Sequence, residues 1–202
     1  MGAVAYLTPF TDRYRRQLLR RWVEALPGAG VPHHPGCTPV GTLGDPVLTR
    51  LWQVDGLPRD ALSTESAVLV THSRRWPLFI DPQGQANRWI RNTYKNSDLT
   101  VLKLSDGHLM RSLETAIRYG FPTLLECVGE ELDPALDPVL ARATFPAPGQ
   151  SSGTALVMKL GDTLVPYNAN FKLFITTKLA NPHYLPEVAI KVLLVNFALV
   201  AR

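Results

Sequence analysis

Short apolar segments alternate with amphipathic segments along most of this chain. The apolar segments carry hydrophobic residues on both faces, which is typical of buried parallel strands, and the amphipathic ones repeat at helical spacing. The pattern therefore predicts an α/β fold with a mostly parallel sheet, helices on both faces and an amphipathic helix in front. Strands are predicted at 76–81, 99–104, 122–128 and 171–177, a hairpin turning at 161–162, and helices at 11–26, 46–52, 64–73, 83–93 and 107–120.

The first predicted helix carries an apolar stripe and a basic run. Thr11 is expected to cap it, and Pro27–Gly28 ends it. The run "RYRRQLLRR" holds five arginines in nine residues. We interpret it as a solvated helix face, with nucleic-acid binding as the alternative. The apolar stripe consists of Tyr14, Leu18, Leu19, Trp22, Val23 and Leu26.

Two later helices show capping signals and a core face. Ser63 is expected to cap the helix at 64–73, and Ser105 or Asp106 the helix at 107–120. The second of these ends at Gly120. Its hydrophobic residues repeat every four positions and are predicted to face the core, namely Leu109, Leu113 and Ile117.

Composition narrows the class of protein. The chain has 202 residues, of which 46% are hydrophobic and 19% charged, with a formal charge of +4, as expected of a globular, mildly basic protein. Cys37 and Cys127 lie far apart, so no disulfide framework or zinc ligand set is predicted, and a reduced compartment fits best. The longest apolar run, "VLLVNFALVA", is interrupted by Asn196 and is too short to span a bilayer, so no membrane partner is predicted.

Three polar residues follow predicted strands. Asp81, Glu126 and Thr177 stand where strands end, and ligands of parallel α/β sheets bind beyond that edge. The segment "PLFIDPQGQANRWI" also has the layout of a phosphate loop, with an apolar strand, a glycine-containing turn and a helix start. These features together place a candidate site at one edge of the sheet.

The loop lacks the groups that hold phosphate and metal. A working loop reads G-x-x-x-x-G-K-[ST], with backbone N–H groups around the phosphates, a lysine on the terminal phosphates and a hydroxyl on Mg²⁺. Loss of the lysine alone costs roughly 10- to 100-fold in affinity. We therefore predict neither ATP nor Mg²⁺ at this site. When the pattern is laid on this loop, Asp81 and Ala86 stand at its two glycine positions. Asn87 stands at the lysine position and Arg88 at the hydroxyl position. Pro82 and Gly84, which lie between the two glycine positions, keep the loop shape.

The other strand ends give the same picture. A hydrolysing site of this type ends its third strand with Asp-Glu, and this chain has Glu126–Cys127. Cys127 cannot position an attacking water, and we interpret it as a small, semi-buried strand residue. Thr177 stands near the position that normally senses the terminal phosphate, and with no phosphate bound we expect it to form hydrogen bonds within its loop.

Several long segments resemble one known family. They are closely similar to the fifth AAA+ module of dynein heavy chains, particularly the axonemal type, and the opening "VAYLTPFTDRYRRQLLRRWV" resembles the end of the fourth module. The resemblance covers nearly the whole chain. The segments that carry it are "GDPVLTRLWQVDGLP", "RRWPLFIDPQGQANRWI", "LLECVGEELDPALDPVL" and "FKLFITTKLANPHYLPEVAIKV".

The resemblance implies a division and a role. Residues 1–30 would be the C-terminal helix of the preceding module and residues 31–202 the large α/β part of a degenerate AAA+ module. Such a module is non-catalytic and passes conformational change between ATP-hydrolysing modules and the stalk and buttress of a microtubule motor. The chain alone is therefore expected not to be an enzyme, and its scope indicates a fragment or partial chain. The alternatives are a weak or regulatory nucleotide-binding module and an isolated interaction fragment.

The resemblance also implies partners and a place in the cell. The partners would be neighbouring AAA+ modules, and intermediate chains, light chains and microtubules only through the whole heavy chain. No nucleic acid, membrane or metal is expected. The location would be the cytoplasm, the cytoskeleton and the axoneme of cilia.

Overall fold

Eight strands form two sheets in the computed structural model, which describes residues 7–32, 34, 37–148 and 156–198. The strands are β1 (Trp76–Ile80), β2 (Thr100–Lys103), β3 (Pro122–Glu126), β4 (Thr144–Pro146), β5 (Leu156–Leu160), β6 (Thr163–Pro166), β7 (Lys172–Thr177) and β8 (Val192–Asn196). The main sheet is parallel throughout, in the order β2–β3–β7–β1–β8, and β4–β5–β6 form a small antiparallel sheet. The predicted α/β fold is confirmed.

Eight α-helices and one 3₁₀ turn lie in the described part of the chain. They are α1 (Asp12–Ala25), α2 (Pro39–Leu43), α3 (Pro46–Val54), α4 (Ala61–His72), α5 (Gln85–Thr93), α6 (Leu109–Tyr119), a 3₁₀ turn (Pro134–Leu136), α7 (Asp137–Leu140) and α8 (Pro186–Ala189). Within the described ranges, no helix has the length and apolar character needed to cross a membrane.

Successive residues of the central strands face opposite sides of the sheet and build two core layers. Leu78 and Ile175 pack with α6 and the small sheet on one side, while Phe79 and Phe174 pack with α3, α4 and α5 on the other. The strands are hydrophobic on both faces because both faces are covered by other elements. As predicted, Leu109, Leu113 and Ile117 of α6 lie in the first layer.

Several sequence predictions need correction. The third strand ends at Glu126 rather than residue 128, because the backbone turns into the left-handed region at Cys127, with φ = 54°. The cap of α4 is Asp60, whose carboxylate accepts the N–H of Ser63 at 2.8 Å. At α6, no side chain in the described part of the chain caps the N-terminus. The carboxylate of Asp106 instead accepts the N–H of Lys103.

Strand β8 was not predicted from the sequence. Its residues belong to the apolar run that we considered only as a membrane candidate. In the structure β8 pairs in parallel with β1 over five residues, from Trp76 opposite Val192 to Ile80 opposite Asn196. Val192 lies in the first core layer and Leu193 and Val195 in the second, so burial on both faces explains why the run is hydrophobic without alternation.

Arg15 is the fully buried anchor of the first helix, while the predicted apolar stripe is half-buried except for the exposed Tyr14. Arg15 is 1% exposed, whereas Tyr14 is 52% exposed. Its guanidinium donates to the carbonyls of Thr8 at 2.6 Å and Phe10 at 2.9 Å, and to the hydroxyl of Ser66 on α4 at 3.0 Å. The prediction that all five arginines form a solvated face is therefore wrong for Arg15. Thr11 occupies the cap position of this helix, but its side chain makes no capping hydrogen bond.

A glycine is required where α6 ends. Gly120 adopts φ = 79°, and a Cβ atom there would lie 2.7 Å from Cγ of Asn168. The side chain of Asn168 is itself held, because its Oδ1 accepts the N–H of Asn170 at 2.9 Å. Substitution thus adds a collision to the ordinary cost of a left-handed backbone.

We expect Gly120→Ala to lower the free energy of unfolding by about 2–3 kcal/mol. Gly161→Ala is the matched control, since Gly161 has φ = 55° but, apart from its chain neighbours, no atom of the described residues within 4 Å of its added Cβ. That change should cost only about 1 kcal/mol. Urea titration of the two variants measures the difference, and equal losses would show that Asn168 moves aside freely.

Candidate functional site

The three strand-end residues singled out from the sequence meet at one cavity. Asp81, Glu126 and Thr177 line a cavity of about 330 Å³ beside the N-terminus of α5. The strand register brings them together, because Ile80 pairs with Thr177 and Lys103 pairs with Glu126. The three strand ends therefore share one edge of the sheet, beside the loop.

The carboxylate of Asp81 fills the phosphate-loop turn. It is 1% exposed. Its Oδ1 accepts the N–H of Gln85 at 2.8 Å, and its Oδ2 accepts the N–H of Asn87 at 2.9 Å. Burial raises the pKa of Asp81, and hydrogen bonds from backbone N–H groups, that of Asn87 foremost, oppose the rise. The N–H groups that would face a phosphate are therefore already bonded to a side chain of the same loop.

The residue at the lysine position is bonded to an acid across the cavity. Nδ2 of Asn87 donates to Oε1 of Glu126 at 2.7 Å. Arg91, one helical turn later, donates to the same oxygen through Nε at 3.0 Å and NH2 at 2.6 Å. Glu126 is mostly buried and Arg91 is about half exposed, with side-chain exposures of 11% and 46%. The negative charge of Glu126 is therefore balanced by a cation of the same chain.

The remaining loop positions keep the backbone shape without phosphate chemistry. Gly84 adopts φ = 72° and precedes the first residue of α5, and Pro82 lies in the turn before it. Ala86, at the second glycine position, is fully buried in the core layer beneath α5. Arg88, at the hydroxyl position, is exposed, and its aliphatic carbons lie beside Gly56. Arg88 thus cannot replace a metal-binding hydroxyl.

Thr177 and Cys127 differ in their surroundings. The buried hydroxyl of Thr177 donates to the carbonyl of Val128 at 2.8 Å and accepts the N–H of Leu179 at 3.2 Å. Cys127 is exposed at the cavity rim, so its interpretation as a semi-buried strand residue is wrong. The left-handed turn after β3 carries its side chain out of the sheet.

Sequence reasoning missed three basic residues of this cavity. Arg91, Lys103 and Lys178 line it, yet we singled out none of them. A signal existed for Arg91, which follows Asn87 by four residues and so shares its helix face. Lys103 and Lys178 reach the cavity only through the alignment of β2 and β7 in the sheet, which has no local sequence signal.

Comparison with known proteins places this site in a family context. A family profile described as "ATP-binding dynein motor region" matches residues 50–202. That range contains the loop, the strand ends and the whole parallel sheet described above.

Individual relatives match along nearly the whole chain. Dynein axonemal heavy chain 1 of Rattus norvegicus is 55% identical over 198 residues, covering 98% of this chain and 4% of the relative. Dynein axonemal heavy chain 6 of Homo sapiens is 48% identical, covering 97% and 5%. The Dynein-1-beta heavy chain of the flagellar inner arm I1 complex of Chlamydomonas reinhardtii is 42% identical, covering 96% and 4%. This chain thus spans only about one twentieth of these relatives, and it belongs to the dynein heavy chain family, within the motor region.

Proposed function

We propose that this chain is a degenerate, non-catalytic AAA+ module of a dynein motor ring, which passes conformational change between ATP-hydrolysing modules and the stalk and buttress. The observation that carries the proposal is the bond between Asn87 and Glu126, at 2.7 Å, with Arg91 on the same carboxylate oxygen. The position of the phosphate-binding lysine is neutral, and the acid that could organise Mg²⁺ is paired with a cation of the same chain. Both groups serve the fold rather than a nucleotide.

Exposed apolar residues support a place between neighbouring modules. The helix α3 presents Val47, Leu51 and Val54, spaced on one face and 54–81% exposed. On α1, Tyr14 is also exposed. Exposed apolar faces of this kind mark contact surfaces, and adjacent modules of the ring would cover them. The division at residues 30–31 is kept as part of this proposal, with α1 belonging to the preceding module.

The proposal extends to partners and location through the relatives. Their names place them in axonemes and in a flagellar inner arm. A module of this family would act in the axoneme of a cilium. It would reach microtubules and the intermediate and light chains only through a complete heavy chain.

Titration calorimetry tests whether the site binds nucleotide. We expect no binding heat from Mg-ATP or Mg-ADP at millimolar concentration with the folded chain, because the loop has Asn87 at the lysine position and Glu126 is already paired with Arg91. Binding near 10 μM, about −7 kcal/mol, would overturn the proposal. The second candidate, a regulatory nucleotide site, would then be favoured, and the three basic residues lining the cavity are the observation that supports it.

A complete heavy chain tests whether the module is catalytic. We expect Glu126→Gln in such a chain to leave ATP hydrolysis and microtubule gliding velocity unchanged. Glutamine keeps an oxygen that can accept the hydrogen bonds from Asn87 and Arg91, so the variant differs from wild type mainly in the lost negative charge. The matched control is the acid-to-amide exchange at the corresponding aspartate of a hydrolysing module, where activity should fall strongly. A comparable loss in both variants would show that this module takes part in hydrolysis.

A further inference from the structure

We propose that the Asp81 carboxylate is a built-in substitute for phosphate, which holds this loop in the arrangement that a bound nucleotide would otherwise impose. The proposal deepens the proposed function and rests on it, since both require that no nucleotide occupies the loop. Asp81 stands at the first glycine position of the phosphate-loop pattern, and here its carboxylate holds the loop in place.

Both carboxylate oxygens act as acceptors. Oδ1 accepts from Gln85 and Oδ2 from Asn87, at 2.8 and 2.9 Å. Hydrogen bonds donated to both oxygens favour the ionised form of the carboxyl group. These N–H groups belong to the first turn of α5, where they have no partner within the helix and where negative charge is favoured. The carboxylate thus does there what a phosphate oxygen does in a nucleotide-binding loop.

The contact is unlike the ordinary helix caps of this chain. Asp45, Asp60 and Asp133 each precede a helix directly and accept N–H groups two or three residues later. Asp81 reaches groups four and six residues later, across a turn whose cap position is the left-handed Gly84. Local capping therefore does not account for this aspartate. It closes a loop in the way that an external ligand would.

Asp81 also connects three elements. Its own N–H donates to the carbonyl of Thr177 at the end of β7, at 2.9 Å, while its carboxylate is bonded to α5. Asp81 follows β1 directly. One residue thus joins the ends of two adjacent strands to the helix that follows, which is the junction that phosphate organises in a nucleotide-binding module.

Removal of the carboxylate would leave an unfilled anion site. The N–H groups of Gln85 and Asn87 would lose their acceptors beside the 330 Å³ cavity. Lys103 and Lys178 line that cavity, so the surroundings favour an anion. Inorganic phosphate should therefore enter the variant and restore part of the lost stability.

The test is thermal unfolding of Asp81→Gly with and without inorganic phosphate, at constant ionic strength. Glycine restores the first residue of the phosphate-loop pattern and leaves the turn open. We expect the melting temperature to fall by roughly 5 °C without phosphate and to recover at least half of that shift with it, since a ligand stabilises the state that binds it. The wild-type chain should gain no stability from phosphate, because its site is filled.

Two matched variants separate this role from general capping. Asp81→Asn keeps the shape of the side chain but offers one acceptor oxygen, so it should be destabilised and not rescued, since the amide still fills the turn. Asp60→Ala removes an ordinary cap, the bond to Ser63 at 2.8 Å, and should lose stability without phosphate rescue. If Asp81→Gly does not fold in phosphate-free buffer, its folding yield on adding phosphate gives the same readout.

The outcomes distinguish this inference from the proposed function. If phosphate fails to stabilise Asp81→Gly while wild-type protein binds no Mg-ATP, only the inference that Asp81 substitutes for phosphate is overturned. Equal phosphate stabilisation of Asp60→Ala or of the wild-type chain also overturns it, because the effect would not depend on the vacated loop. Binding of Mg-ATP by the wild-type chain overturns the proposed function, and the inference with it.

Discussion

Mg-ATP binding should appear when Asp81→Gly, Asn87→Lys and Arg88→Thr are combined, and not with the last two alone. The double variant restores the lysine and the hydroxyl, but the Asp81 carboxylate still occupies the loop N–H groups and adds a negative charge beside the phosphates. In the triple variant the N–H groups that Asp81 occupied become free to bond to phosphate, and one such charge-assisted hydrogen bond is worth about 1.5–3 kcal/mol. We therefore expect the triple variant to bind Mg-ATP at least about 10- to 100-fold more tightly than the double variant.

Titration calorimetry of the single, double and triple variants measures this effect. Asp81→Gly alone is the control, since it opens the loop without supplying the cation. The prediction fails if the double variant binds as tightly as the triple one, because Asp81 would then not block the loop. It also fails if folded triple variant shows no binding, since other side chains would then close the cavity.

Loss of Arg15 should be the most destabilising change in the first helix. Burial lowers the pKa of its guanidinium, and the charge of Glu65 opposes that effect, so the group is held as a partly compensated buried cation. Its removal takes away the donor to the hydroxyl of Ser66 and one of two donors to the carbonyl of Thr8, which keeps the N–H of Asn196 at 2.9 Å. Breaking one side of such a buried network costs about 3–5 kcal/mol. We expect Arg15→Ala to lower the free energy of unfolding by that amount.

The neighbouring arginine is a matched control. Arg16 is exposed and pairs with Asp12 on the surface of the same helix, and surface pairs of this kind contribute at most about 1 kcal/mol. Urea titration followed by circular dichroism should therefore show a large loss for Arg15→Ala and a small one for Arg16→Ala. Similar small losses in both would mean that α1 is held by its neighbours and not by Arg15.

Hydrophobic periodicity predicted an element correctly wherever neighbouring elements cover it in a regular way, on both faces of a strand or along one face of a helix. The strands around Leu78, Leu124 and Phe174 are apolar on both faces because helices cover both sides, and α6 shows its core face in its own spacing. Caps and ends were less predictable. Asp60 and Ser63 are both good capping residues, and only the backbone conformation shows that the carboxylate of Asp60 makes the bond.

The sequence by itself determined the α/β class, most of the strands, the family resemblance, and the absence of a lysine and a hydroxyl from the loop. These properties depend on residue type and short-range spacing. The tertiary structure decided where Asp81 directs its carboxylate, that Arg91 joins Glu126 and Asn87, that Arg15 is buried, and that the last apolar run is β8. Each of these depends on contacts between residues distant in sequence or across a turn. Hydrophobic spacing along one element cannot specify such contacts, because the partner is positioned by the sheet.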